Sequence, residues 1–123
     1  MKTSQLSRHL AGAALLALIA TSAEAQAWPS KTVRIVVGFS AGGPTDVVAR
    51  AFTEHASRAL GQPVIVENKP GANTILAAEA VASAPADGYT LLMAATNHTM
   101  IPALYSARVK FDAVRSFAPI CTL

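Results

Sequence analysis

The chain has 123 residues, 52% of them hydrophobic and 14% charged, with a formal net charge of +3. That length leaves room for one small domain. The charge is too low and too scattered for a nucleic-acid surface, which needs clustered Lys and Arg. The single cysteine, Cys121, excludes a disulfide framework within the chain, and its apolar context (Ala118-Pro119-Ile120) reads as that of a buried structural thiol.

The first 25 residues have the order of a secretory leader. Lys2, Arg8 and His9 precede the apolar run Leu10–Ala20, and two overlapping A-x-A sites follow at Ala23-Glu24-Ala25 and Ala25-Gln26-Ala27. The run is well short of the roughly 20 residues that cross a bilayer, so a cleaved signal is expected over residues 1–25 and a periplasmic destination for the rest. Lys2, Arg8 and Glu24 leave with the leader, and residues 26–123 are then only weakly basic.

Val33–Val37 (VRIVV), bounded by Pro29 and Gly38, reads as a buried first strand. Phe39–Thr45 (FSAGGPT) reads as a loop. A helix is expected over Asp46–Leu60, where Val48, Phe52, Ala59 and Val47, Ala51 recur at helical spacing and Gly61 supplies the stop. Val64–Glu67 reads as a second strand and Asn68-Lys69-Pro70-Gly71 as a turn. The alanine-rich Thr74–Ala84 reads as a second helix closed by Pro85. Asp87-Gly88 turns the chain into a third strand, Tyr89–Ala94. A polar loop with a short helical turn follows over Thr96–Tyr105, and Phe117 onward (FAPICTL) resembles the start of a fourth strand.

This β-α-β-α-β order calls for a parallel sheet with helices on both faces and right-handed crossovers. With strand order 2-1-3 the chain reverses direction between strands 1 and 3, and open α/β sheets take their ligands at that crevice, beyond the carboxyl ends of the strands. The loops there are Phe39–Asp46, with the pair Gly42-Gly43, and Ala95–His98, with Thr96, Asn97 and His98. Gly42-Gly43 lets backbone come close to a ligand. The helix start behind it offers free N–H groups and partial positive charge, which suit a carboxylate, and Thr45 or Asp46 is placed to cap it.

Other chemistries fit less well. Gly38-Phe39-Ser40-Ala41-Gly42 matches G-x-S-x-G between a strand and a helix, and Asp87 and His98 follow in the order of a hydrolase triad. That makes a secreted serine hydrolase with Ser40 as nucleophile the alternative function. An elbow, however, needs its helix directly after the serine, which would put Pro44 inside the first turns. The glycines are spaced G-x-x-x-G-G, unlike a dinucleotide fingerprint. Two histidines and one cysteine this far apart do not make a metal site, so neither cofactor nor metal is expected. His55 reads as a helix-surface residue, and Glu67 and Lys69 as a solvated turn.

Several linked segments together resemble the start of the Bug family, the extracytoplasmic receptors of tripartite tricarboxylate transporters. They are Trp28–Val37, Phe39–Asp46 (FSAGGPTD), Leu60–Ala72 (LGQPVIVENKPGA), Asp87–Leu92 (DGYTLL), Asn97-His98 with Pro102–Tyr105, and Phe117-Ala118-Pro119. The resemblance implies a two-domain, hinged periplasmic-binding-protein fold (type II-like) that closes on a small carboxylate. It would work as a monomer, deliver to a membrane permease and carry no catalytic residues. Residues 26–123 would be an incomplete N-terminal part of the first solute-binding domain, a partial parallel-sheet lobe. By carry-over the ligand residues are Phe39, Ser40, Ala41, Gly42, Gly43 and Asp46 in the first loop, and Thr96, Asn97 and His98 in the second. Three positions depart from the family pattern. Asn73-Thr74 replaces a usual glycine pair, Ala77 replaces a further glycine, and Ile101 stands where an asparagine commonly precedes the proline.

The leader gives a direct expectation. Expressed in a Gram-negative host, the protein is recovered from the periplasm with Gln26 or Trp28 as its first residue, read by intact mass and N-terminal sequencing. Intact Met1 in soluble cytoplasm, with no processed form, contradicts the reading.

Overall fold

The structure is a computed structural model that describes residues 27–105 and 109–122; the leader expected over residues 1–25 lies outside them. Val33–Val37 forms β1, and all of it except Arg34 is buried. A run of β-branched residues of this kind is stable only when both pleat faces are covered. β2 (Val64–Asn68) and β3 (Thr90–Met93) flank it, both parallel, in the order β2-β1-β3. The register pairs Val37 with Asn68 on one side and with Met93 on the other. All three strands therefore end at the same level, and the loops that follow them emerge side by side.

The first helix, α1, covers Pro44–Leu60. It begins two residues before the expected Asp46, because Pro44 takes the first helical position, where its missing N–H costs nothing. Gly61 closes it with φ +65, the left-handed cap anticipated for a glycine there. The face it buries differs from the sequence pattern. Asp46, Ala49 and Thr53 are buried, with Ala56 and Leu60 packed against Val33, Ile35, Val37 and Val64. Val47, Val48 and Phe52 are 58%, 49% and 38% exposed. Small side chains at 49, 53 and 56 let the helix lie close on the sheet, and this close packing outweighs the larger apolar stripe.

The second crossover starts with a 3-10 turn, Ala72–Thr74, followed by α2 (Ile75–Ala82), shorter than the expected Thr74–Ala84. Ala72, Asn73 and Thr74 have φ of +46, +52 and +70. This left-handed run is easy for glycine, tolerable for asparagine and costly for a β-branched threonine. It coincides with the position where the resemblance led us to expect a glycine pair. Ala77 is fully buried. α2 packs on β3 and β1, on the face opposite α1, since Val36 points the other way from Ile35 and Val37.

At the far end of the sheet the chain into β1 is fastened to the turn before β3. Trp28 lies against Tyr89 and over Gly88, Lys31 sits 4.3 Å above the Tyr89 ring, and the Ser30 N–H donates to the Tyr89 hydroxyl. Asp87 accepts from the Tyr89 N–H and pairs with Lys31 at 3.5 Å.

Three expectations over the last residues are corrected. Asn97–Tyr105 is a full helix, α3, rather than a polar loop with a short turn. Ile101 anchors it as a completely buried side chain, which gives that departure from the family pattern a packing reason. Residues 117–122 form no strand. An isolated strand has no ladder partner, and here Phe117 turns its ring edge-on against His98 and Phe111 instead. Cys121 is exposed rather than buried. His55 lies on the exposed side of α1, as expected.

Two substitutions test the left-handed turn with opposite signs. Ala72→Gly removes the penalty of a positive φ at an exposed position and stabilises by about 1 kcal/mol. Gly38→Ala would place a Cβ 2.5 Å from the Thr74 Cβ and destabilises by about 1–3 kcal/mol. Urea unfolding checks both.

Candidate functional site

The switch point between β1 and β3 gathers the two loops singled out in the sequence. Ser40–Gly43 is a tight turn closed by the Gly43 N–H donating to the Ser40 carbonyl, with Gly42 at φ +83 in the third position, where a type II turn calls for glycine. Ser40, Ala41 and Gly42 are exposed, Gly43 is half-buried, and Phe39 packs against the edge of the core. Gly43 is also the N-cap of α1 and supplies no side chain to the helix start. Pro44 has no N–H. The N–H groups of Thr45 and Asp46 therefore have no intrahelical partner and leave a partial positive charge at the end of the helix.

Asp46, the third residue of α1, turns back into the loop. Its side chain is 2% exposed. Oδ2 accepts from the Gly42 N–H and from Arg50 Nε, both at 2.8 Å, and Oδ1 accepts from Asn68 Nδ2 at 2.8 Å. The same Asn68 amide nitrogen donates to the Phe39 carbonyl at 3.1 Å, and its Oδ1 accepts from Arg50 Nη2 at 3.1 Å. The Arg50 guanidinium, then the Gly42 N–H and the Asn68 amide, hold the Asp46 carboxyl well below the usual carboxylate range. Because its folded value is depressed, the stability it confers is complete above its ordinary value near 3.8. That contribution is withdrawn only as the pH falls toward the folded value. At neutral pH Asp46 is an ionised brace with its lone pairs engaged.

In the second loop Thr96 is exposed, and its carbonyl accepts from the Thr99 hydroxyl in the first turn of α3. Asn97 faces the turn after β2. Its Nδ2 donates to the Thr74 hydroxyl at 3.0 Å and to the Asn73 carbonyl and side-chain oxygen at 3.3 Å, while its Oδ1 is buried without a protein donor. The His98 ring turns away toward residues 111–117. Its Nε2 lies 3.0 Å from the Ala113 carbonyl, its plane stacks on Phe111 at 5.9 Å, and Phe117 meets it edge-on at 5.0 Å.

Apart from Phe39, which packs on the core, the sequence candidates thus fall into two groups. Ser40–Gly43 and Thr96 line the open rim, whereas Asp46, Asn97 and His98 use their side chains to hold neighbouring segments. Sequence reasoning passed over four supporting residues. Arg50 carries a signal in its i,i+4 spacing from Asp46. Asn68, Asn73 and Thr74 carry none, since their roles arise from contacts between loops distant in sequence. The serine-hydrolase arrangement does not assemble. The helix starts four residues after Ser40, the Nε2 of His98 is committed to Ala113, and Asp87 lies at the opposite end of β3 with Lys31. Among the described residues no three His, Cys, Asp or Glu side chains gather as a metal would require.

Residues 48–123 match the family model described as tripartite tricarboxylate transporter family receptor. The chain is 47% identical over 106 residues to a UPF0065 protein of Bordetella bronchiseptica, covering 86% of this chain and 32% of that one. It is 39% identical over 79 residues to Protein BugT of Bordetella pertussis, covering 64% and 24%. Solved structures are similar too, two of them as follows. Periplasmic binding protein BugD superposes with TM-score 0.62 at 44% identity, over 63% of this chain and 26% of that one. MatC from Rhodopseudomonas palustris, solved with bound malate, gives TM-score 0.65 at 41% identity, over 70% and 29%. The chain spans about a third of the length of the curated relatives it matches. On the family match, these relatives and the shared fold, the chain belongs to the tripartite tricarboxylate transporter receptor family, to which the Bug proteins also belong.

Proposed function

We propose that this chain forms the ligand-facing first lobe of a periplasmic receptor that captures a small carboxylate for a tripartite tricarboxylate transporter. In the whole protein a second lobe closes over the ligand, and the monomeric, loaded receptor delivers it to a membrane permease. The leader over residues 1–25 carries the protein to the periplasm.

The observation that carries this reading is the uncapped N-terminus of α1 behind the Ser40–Gly43 turn. It offers backbone N–H donors and positive potential at the rim of the switch point. The nearby carboxylate, Asp46, is already matched by Arg50 at 2.8 Å and so does not repel an anion. Thr96 supplies a hydroxyl from the adjoining loop. Malate in MatC, and adipate in a second similar Rhodopseudomonas palustris protein with TM-score 0.57 and 38% identity, belong to the ligand class such a site suits. Binding of this kind uses donors and shape and needs no cofactor.

The test places a charge where the ligand carboxylate approaches. In a chain carrying this lobe at the full length of its relatives, Gly43→Asp weakens malate binding by about 1–3 kcal/mol through like-charge repulsion and lost backbone access. Gly43→Ala is the control. Its Cβ would lie 3.3 Å from the Ser40 carbonyl, so it perturbs the turn slightly without adding charge and loses less affinity. Calorimetry that finds Gly43→Asp as tight as the parent, in a folded variant, rejects the loop as the site.

A further inference from the structure

We infer that Arg50 and Asn68 are positioning residues of the ligand loop: Arg50 cancels the charge of Asp46, and with Asn68 it clamps Phe39–Gly42 from behind. The loop can then offer its backbone to an anion without offering it a carboxylate. The inference rests on the proposed function for its anion-binding consequence, but the clamp itself is independent of any ligand.

The geometry is a closed ring of three side chains. Arg50 bonds Asp46 through Nε and Asn68 through Nη2, and Asn68 bonds Asp46 through Nδ2, at 2.8, 3.1 and 2.8 Å respectively. Two further bonds tie the ring to the loop. Asp46 Oδ2 takes the Gly42 N–H, and Asn68 Nδ2 reaches the Phe39 carbonyl. The three residues come from the first turn of α1, its second turn and the last position of β2, so the loop is referenced to both a helix and a strand. Arg50 is 55% exposed while its carboxylate partner is 2% exposed. A buried carboxylate needs its hydrogen bonds and its counter-charge together, and an exposed guanidinium can supply both at little desolvation cost. Without Arg50 a full negative charge would stand one residue from Thr45, beside the donors an anion has to reach. A lysine could supply the charge but not the planar fork that reaches Asp46 and Asn68 at once.

The test has a ligand-independent arm and an anion arm. Amide exchange on the chain, followed by NMR, should show Gly42 exchanging about tenfold faster or more in Asn68→Ala and in Arg50→Gln, while Ile35 and Val36 in β1 keep their protection. An unchanged Gly42, or an equal loss of protection in β1, overturns the inference.

The second arm titrates malate into a chain carrying this lobe at the full length of its relatives and follows the Gly42 and Gly43 amide shifts. Arg50→Gln should weaken malate about tenfold. Arg50→Lys should recover part of this, and the neutral pair Asp46→Asn/Arg50→Gln should recover most of it, a pattern a purely structural brace would not give. An Arg50→Gln variant as tight as the parent, or a double variant weaker than the single one, overturns the inference. A full-length parent whose amides do not respond to malate counts against the functional reading, and the positioning role is then decided by the exchange arm alone.

Discussion

A carboxylate buried at the start of α1 organises the end of the sheet where β1 and β2 finish. Asp46 could have capped its own helix or pointed into the crevice. It folds back instead, and its engaged lone pairs join the loop after β1 to the last residue of β2. A buried charge is tolerable only with such full satisfaction, so the position of the loop and the ionisation of Asp46 are one constraint. The turn carrying the glycine pair is thereby held in a single shape, and the helix end behind it is left free of side chains.

A second junction completes the rim. The three parallel strands end level, so the loops after β1, β2 and β3 must share one small space. The turn after β2 enters it in a left-handed conformation and brings Thr74 against the backbone of Gly38. Asn97 then ties the start of α3 to the same turn. The strain of three consecutive positive φ values is offset by this convergence, because the turn lies between two loops that both need it. His98 extends the chain of contacts outward. It leaves the crevice and packs among Phe111, Ala113 and Phe117, so the second loop cannot shift without disturbing residues 111–117.

Much of this was legible in the sequence. The β-branched run at Val33–Val37, the stop at Gly61 and the Asp87-Gly88 turn fixed the order of elements. The β-α-β-α-β pattern called for the parallel sheet that forms, with order 2-1-3 taken as the usual arrangement for such a unit. Each depends on local preference or on chain connectivity, which a sequence carries directly.

Tertiary packing decided the rest. The buried face of α1 runs through Asp46, Ala49 and Thr53 rather than Val47, Val48 and Phe52, because the sheet surface rewards close approach more than bulk. Phe117 serves a histidine rather than a fourth strand, and α3 forms around Ile101, whose burial only the assembled fold supplies. The part played by Asp46 as a brace, with Arg50 and Asn68 beside it, depends on side chains from α1 and β2 meeting at 2.8 and 3.1 Å. Sequence alone determined which backbone segments follow β1 and β3; only the folded chain decided which side chains hold them in place, since hydrogen bonds between distant segments exist only once the strands are in register.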